Sequence, residues 1–251
     1  MLQRGLTDAD IQRVAESMKP ETLDAGVTPG LQRGLEEWGS KALADLGSEA
    51  RFDMKNPLVT DFIDAWREQQ LVGVTRTTRD QVTALLQDMR DAGAGIDDMK
   101  RSLRETFEGW TSTKAETVAR TEVVGASNAA NLAAYQISGL VDAKEWLAVQ
   151  DGQTRETHAE LDGTQVGIDE DFTSSSGATA SGPGLFGDPG EDINCRCTLR
   201  PVIDTKAAPT AEERAALWRA FDQSLIPWER QTTADVAKVL GKWLGDCVAA
   251  L

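Results

Sequence analysis

Between residues 113 and 139 small apolar side chains return at helical spacing, and this pattern limits the fold more than any other feature of the chain. At about 100° per residue, Ala119, Val123, Ala126, Ala130, Ala133, Ala134 and Ile137 fall on one face. A face built largely of alanine lets a partner helix approach closely. Thr113 with Glu116 reads as a capping box, and Gly139 as a C-terminal stop. On the other side Arg120, Asn128, Asn131 and Tyr135 lie within about 80° of one another. A solvated face would carry Lys and Glu there. The two amides and Arg120 are read as partners for neighbouring loop backbone, with a ligand-binding stripe as the alternative.

The flanking stretches are helical. Thr7 and Asp10 cap a first helix. Leu31, Leu35, Trp38, Leu43 and Leu46 make one apolar stripe, and Leu58, Phe62, Trp66 and Val72 a second. A further helix closes at Gly93, and Ile96, Met99, Leu103 and Phe107 line the next. From residue 140 the pattern changes. Residues 144–149 and 197–203 read as short strands, with a third near 164–166. Between them a Gly-, Ser-, Asp- and Pro-rich loop covers 167–194, pinned by Phe172, Leu185 and Phe186. From 207 on, Thr210 and Glu213 cap a helix that Pro227 interrupts, and a last amphipathic helix holds Cys247 as inert packing. The expected fold class is α+β, mainly helical with a small β-containing module. Its parts would be an N-terminal helical region (1–110), the module (111–203) and a C-terminal helical docking segment (204–251).

Composition removes several functions. The 251 residues carry 26 Lys and Arg against 41 Asp and Glu, a net charge of −15, which repels a phosphate backbone and an anionic lipid surface. About half of that excess sits in 151–200, where ten acids face three arginines. No apolar run approaches the ~20 residues that span a bilayer, and the first ten residues do not resemble a signal peptide, so a soluble protein is expected. Three cysteines make no disulfide framework and fit a reducing compartment, and one histidine excludes a two-His metal site.

The reactive side chains gather in two segments. One runs from Asp151 through Thr154, Arg155 and His158 to Asp162 and Gly163; the other is Asn194-Cys195-Arg196-Cys197. A metal reading would use His158, Cys195 and Cys197, with Asp151, Asp162 or Asp192 as the fourth ligand, and its donors suit zinc. Against it, one intervening residue seldom lets both sulfurs reach one ion. The structural reading points both cysteines into a small core and pairs Arg155 and Arg196 with the acidic loop. A hydrolase would take His158 as base with Cys195, or Ser174 and Ser176, as nucleophile. No nucleophile elbow supports it.

Taken in order, these residues resemble the phage Mu F-like minor head protein family of head morphogenesis proteins. The resemblance runs over roughly 76–203. It rests on Ala119-Arg120-Thr121-Glu122, then Asn128, Asn131, Tyr135, Gly139 and Trp146. It continues through Asp151, Thr154-Arg155, His158, Leu161-Asp162-Gly163, Phe172, Pro183-Gly184, Asp188-Pro189 and the closing Asn194-Cys195-Arg196-Cys197. The resemblance implies a structural, non-enzymatic virion component acting at or near the portal vertex in head assembly and genome delivery. The expected partners are the portal protein, scaffold or major capsid protein, with transient DNA contact, and with neither membrane nor small-molecule substrate. Assembly would take place in the host cytoplasm. Many relatives bear cysteines where this chain has Arg155 and His158, and a histidine near Asp192, and those relatives look metal-bound. Here an Arg155–Asp192 ion pair would replace the metal, so no metal and no cofactor are expected.

Overall fold

The computed structural model describes residues 6–203 and 210–251. The expected start of the C-terminal segment at 204 lies outside them, as do the first five residues of the leader reading. The chain divides into two compact units, each assembled from separated stretches of sequence.

The first unit comprises Met1–Pro29, Asp64–Glu116 and Thr233–Leu251. Thr7 caps α1 (Asp8–Glu16) in the expected box: its hydroxyl accepts from Asp10 N at 3.3 Å while the Asp10 carboxylate accepts from Thr7 N at 3.0 Å. Ile11, Val14 and Met18 are buried in this unit with Val82 and Leu86 of α4 (Val72–Asp91) and with Trp243. Arg79 Nε donates to Met18 O at 2.8 Å and ties α4 to the end of α1. Cys247 is fully buried, 3.7 Å from Ser17 Oγ, and burial pushes its thiol pKa up, as inert packing requires.

Three local expectations are corrected. The stripe of Leu58, Phe62, Trp66 and Val72 is out of phase: Val59, Ile63, Trp66 and Leu71 are buried, while Leu58 and Val72 are 45% and 48% exposed. Helix α3 (Pro57–Trp66) passes through a π turn, Arg67–Leu71, directly into α4, and the wider turn brings Leu71 inward in place of Val72. Thr113 caps nothing, because α5 (Ile96–Ser138) is one helix of 43 residues. Met99, Leu103, Phe107, Ala115 and Ala119 are buried on either side of the expected break, and the helix propagates between them. Pro227 does not interrupt α8 (Ala211–Ala250), although it removes one backbone bond. Helix α2 (Pro20–Asp45) likewise contains Pro29.

The second unit comprises Gly30–Ile63 and Thr117–Thr232. After Gly139, in the left-handed conformation at φ 62°, the chain enters a three-stranded antiparallel sheet of order β2-β1-β5. Its strands, β1 (Ala143–Leu147), β2 (Gln165–Gly167) and β5 (Thr198–Val202), lie close to their expected places. Register sets Trp146 opposite Leu199 and Lys144 opposite Val166. The short α6 (Glu156–Leu161) lies between β1 and β2. Segment 167–194 is more ordered than a plain loop. It holds the hairpin of β3 (Phe172–Thr173) with β4 (Thr179–Ala180), and the single turn α7 (Pro189–Asp192). Phe172 anchors it, fully buried, with Leu185 and Phe186 half-buried. The fold class is therefore α+β, mainly helical with a small antiparallel module. No described helix is long and apolar enough to cross a membrane.

Candidate functional site

Helix α5 organises the site from its polar stripe. Asn128, fully buried, spends its whole amide: Nδ2 donates to Pro183 O at 3.1 Å and Cys197 O at 3.0 Å, and Oδ1 accepts from Thr198 Oγ1 at 3.0 Å and Leu199 N at 3.1 Å. A side-chain amide is the one group that can offer two donors and two acceptors to an irregular backbone at once. Two turns earlier, Thr121 Oγ1 accepts from Asn194 N at 3.1 Å, which secures Asn194 in its left-handed conformation at φ 57°. Arg120 pairs with Glu229 of α8 at 3.0 Å, away from the loops, and Glu122 is buried. Tyr135 reaches Leu199 O only at 3.5 Å, and burial raises its pKa. Asn131 is not brought to the 151–197 loops. It lines a cavity of about 360 Å³ with Trp38, Tyr135, Leu199 and Phe221.

The acidic and basic residues sort into separate pairs. Asp151 accepts from both terminal nitrogens of Arg196, at 2.8 and 2.6 Å, and this fork with the Gln153 amide holds its pKa well below the carboxylate range. Asp162 accepts from Ala148 N at 2.8 Å and from Arg214, beside the tight turn at Gly163, φ 82°. Arg214 also meets buried Glu145, which Arg200 and Gln165 hold from other sides. The expected Arg155–Asp192 ion pair does not form. Arg155 donates to Ile193 O, and Asp192 accepts from Phe186 N at 3.1 Å and Gly187 N at 2.7 Å. Asp192 thus serves the turn backbone, and burial lifts its pKa to about 6.

At the centre stands His158, 1% exposed, packed edge-on against Trp146 and stacked on Phe186. Its Nδ1 lies 3.7 Å from Cys195 Sγ and 3.5 Å from Cys197 Sγ, and both cysteines are buried. Separated by one residue, both sulfurs still come within reach of one imidazole nitrogen. Side chains two residues apart on extended chain project to the same side, and both thiols point at the imidazole. The Cys197 thiol and His158 favour Cys195 as thiolate, while Cys195 and burial keep Cys197 protonated. On the far side, His158 Nε2 lies 3.1 Å from Glu191 Oε2, off the line of a good hydrogen bond. Glu191 accepts from Ser176 Oγ at 2.6 Å and Thr157 Oγ1 at 3.0 Å, and these hydroxyls help hold its pKa down. Two thiols and an imidazole are the soft-to-borderline donors that zinc takes, so the residues present fit such an ion.

Several of these partners escape sequence reading. Glu191 sits among acidic loop residues with no motif spacing, and Arg214 lies ahead of the apolar helix pattern of α8. Ser174 and Ser176 are present as hydroxyls, yet they bond each other at 2.6 Å and face Glu191 rather than an open cleft.

Residues 80–200 match the family model described as Phage Mu protein F like protein. The chain is 30% identical over 183 residues to the uncharacterized protein YqbB of Bacillus subtilis, across 70% of this chain and 59% of that one. It is 31% identical over 151 residues to minor head protein GP7 of Bacillus phage SPP1, across 57% of this chain and 48% of that protein. It is 38% identical over 115 residues to the NAD(+)–arginine ADP-ribosyltransferase EFV of Enterococcus faecalis, across 45% of this chain and 23% of that protein. The chain thus spans less than two thirds of the length of each of these relatives. No solved structure matches it significantly. The motif residues from Arg120 to Cys197 all fall inside the matched stretch, so the segment that carries the site is the segment that is similar to the Phage Mu protein F like family.

Proposed function

We propose that the chain is a minor head component of a tailed phage or prophage, acting in head assembly at or near the portal vertex and in genome delivery. The observation that carries this reading is the family match over 80–200 together with the likeness to a minor head protein. The site's chemistry agrees with it: His158, Cys195, Cys197 and Glu191 are between 1% and 6% exposed and are engaged with one another. Such a buried, mutually engaged cluster suits a structural role within the module. The partners would be the portal protein, scaffold or major capsid protein, met in the host cytoplasm and retained in the virion. The charge of −15 suits a protein packed beside DNA that must later leave, because it does not grip the phosphates. Quantitative peptide mass spectrometry on particles from the induced source strain tests the reading. A few copies per particle, in proheads and full heads alike, is the expected result; absence from every particle overturns it.

A second reading rests on the order Cys195, His158, Glu191, which places a thiol, an imidazole and a carboxylate in line, as a cysteine hydrolase would. A nucleophile 1% exposed meets no substrate without an opening of the 167–194 segment. Peptidase and esterase assays on the full chain with its His158→Ala variant separate the readings: an enzyme loses turnover with its fold intact, and a structural histidine costs stability.

A further inference from the structure

The three donors around His158 stand at the spacing that one ion would impose. A tetrahedral zinc with Zn–S of about 2.3 Å and Zn–N of about 2.05 Å needs N···S edges of about 3.6 Å. The observed separations from His158 Nδ1, 3.7 Å to Cys195 Sγ and 3.5 Å to Cys197 Sγ, bracket that edge. All three donor atoms lie within 4.8 Å of one another. Glu191 Oε2 stands behind the ring at 3.1 Å from Nε2, the side from which a carboxylate can hold the tautomer that leaves Nδ1 free to ligate. Its own position is set by Ser176 and Thr157. The carboxylates that sequence offered as further ligands are engaged elsewhere: Asp151 with Arg196, Asp162 with Arg214, Asp192 with backbone amides. Two thiolates and a neutral imidazole balance a dication, so such an ion carries no net charge into a buried site.

We infer that His158, Cys195 and Cys197 bind one zinc ion, with Glu191 as the positioning residue. The ion joins α6 to the residues preceding β5 and closes the 167–194 segment between two fixed points. Its binding free energy is then part of the folding free energy of the module. The inference does not depend on the head role, and its test does not involve particles.

The full chain, purified under reducing conditions, is assayed for zinc by elemental mass spectrometry. It is then stripped with a chelator and titrated with Co²⁺, following the thiolate-to-cobalt charge-transfer absorption. One zinc per chain and a saturating cobalt spectrum are expected. Cys195→Ser and Cys197→Ser each remove stoichiometric uptake, and Glu191→Gln keeps the fold by circular dichroism while weakening affinity roughly 10–100-fold. If the cysteine variants do not fold, the stripped wild-type chain decides: added Zn²⁺ must slow the reaction of its thiols with Ellman's reagent. Trace zinc with no cobalt absorption overturns the site, as does uptake unchanged in a folded Cys197→Ser variant or thiol reactivity indifferent to Zn²⁺.

Discussion

Gly125 of α5 and Gly184 of the 167–194 segment meet backbone to backbone: a Cβ on Gly125 would stand 3.0 Å from the Gly184 carbonyl oxygen. Gly184 also sits at φ 75°, where an L side chain is strained. This approach is what brings Pro183 O within reach of Asn128. Gly125→Ala is therefore expected to cost about 1–3 kcal/mol, since backbone on both sides has little room to move. Equilibrium urea unfolding measures it. An unchanged midpoint would show that the segment shifts without cost.

Asn128→Ala removes four hydrogen bonds and leaves the Leu199 amide and two carbonyls buried without their partner. At about 1–3 kcal/mol per group left unsatisfied, partly relieved by water, a loss of about 3 kcal/mol is expected. Asn128→Asp should be worse, because a carboxylate would face the carbonyls of Pro183 and Cys197. Thermal melts of both variants check the order. Asp behaving better than Ala would mean that the donors matter less than the acceptor.

These two positions show what was legible from sequence and what was not. Asn128 stands out because an amide on an otherwise alanine-rich helix has to satisfy something, and backbone next door is the usual client. His158, Cys195 and Cys197 are visible as residue types, and the strands around them follow from short β-branched and apolar runs. The convergence of both sulfurs on one imidazole nitrogen is not visible, since it depends on the left-handed turn at Asn194 and its tether to Thr121. Glu191 is hidden for a similar reason: only the turn of α7 separates it from the other acids of its loop. The helix boundaries erred where packing outweighed local signals. Thr113 and Pro227 both carry a terminator's chemistry, and both lie inside helices that are buried on either side of them.

Arg214 is the shared cation of Glu145 and Asp162, and Glu145 is only 2% exposed. Arg214→Met should cost about 3 kcal/mol, because it strips one of two guanidinium partners from a buried carboxylate. Arg214→Lys should recover little of that, since a point charge cannot bridge two carboxylates as a planar fork does. Combining Arg214→Met with Asp162→Asn gives a coupling energy. A value near zero would assign the loss to Glu145 alone.

The capping box at α1 carries a pH signature. Hydrogen bonds from the Thr7 hydroxyl and amide hold the Asp10 carboxyl down at about 2, against an ordinary 3.8. A depressed folded pKa means that the unfolded chain takes up the proton first as pH falls. The stabilisation from ionised Asp10 is thus complete above about pH 4 and is lost as pH drops through 2. Asp10→Asn removes the charge at every pH, so its melting temperature should lie below wild type at pH 7, with the gap closing towards pH 2. Other carboxylates titrate equally in both proteins and cancel from the difference. A gap that is the same at both ends of the range would show that the box acts through hydrogen-bond geometry alone, without the charge.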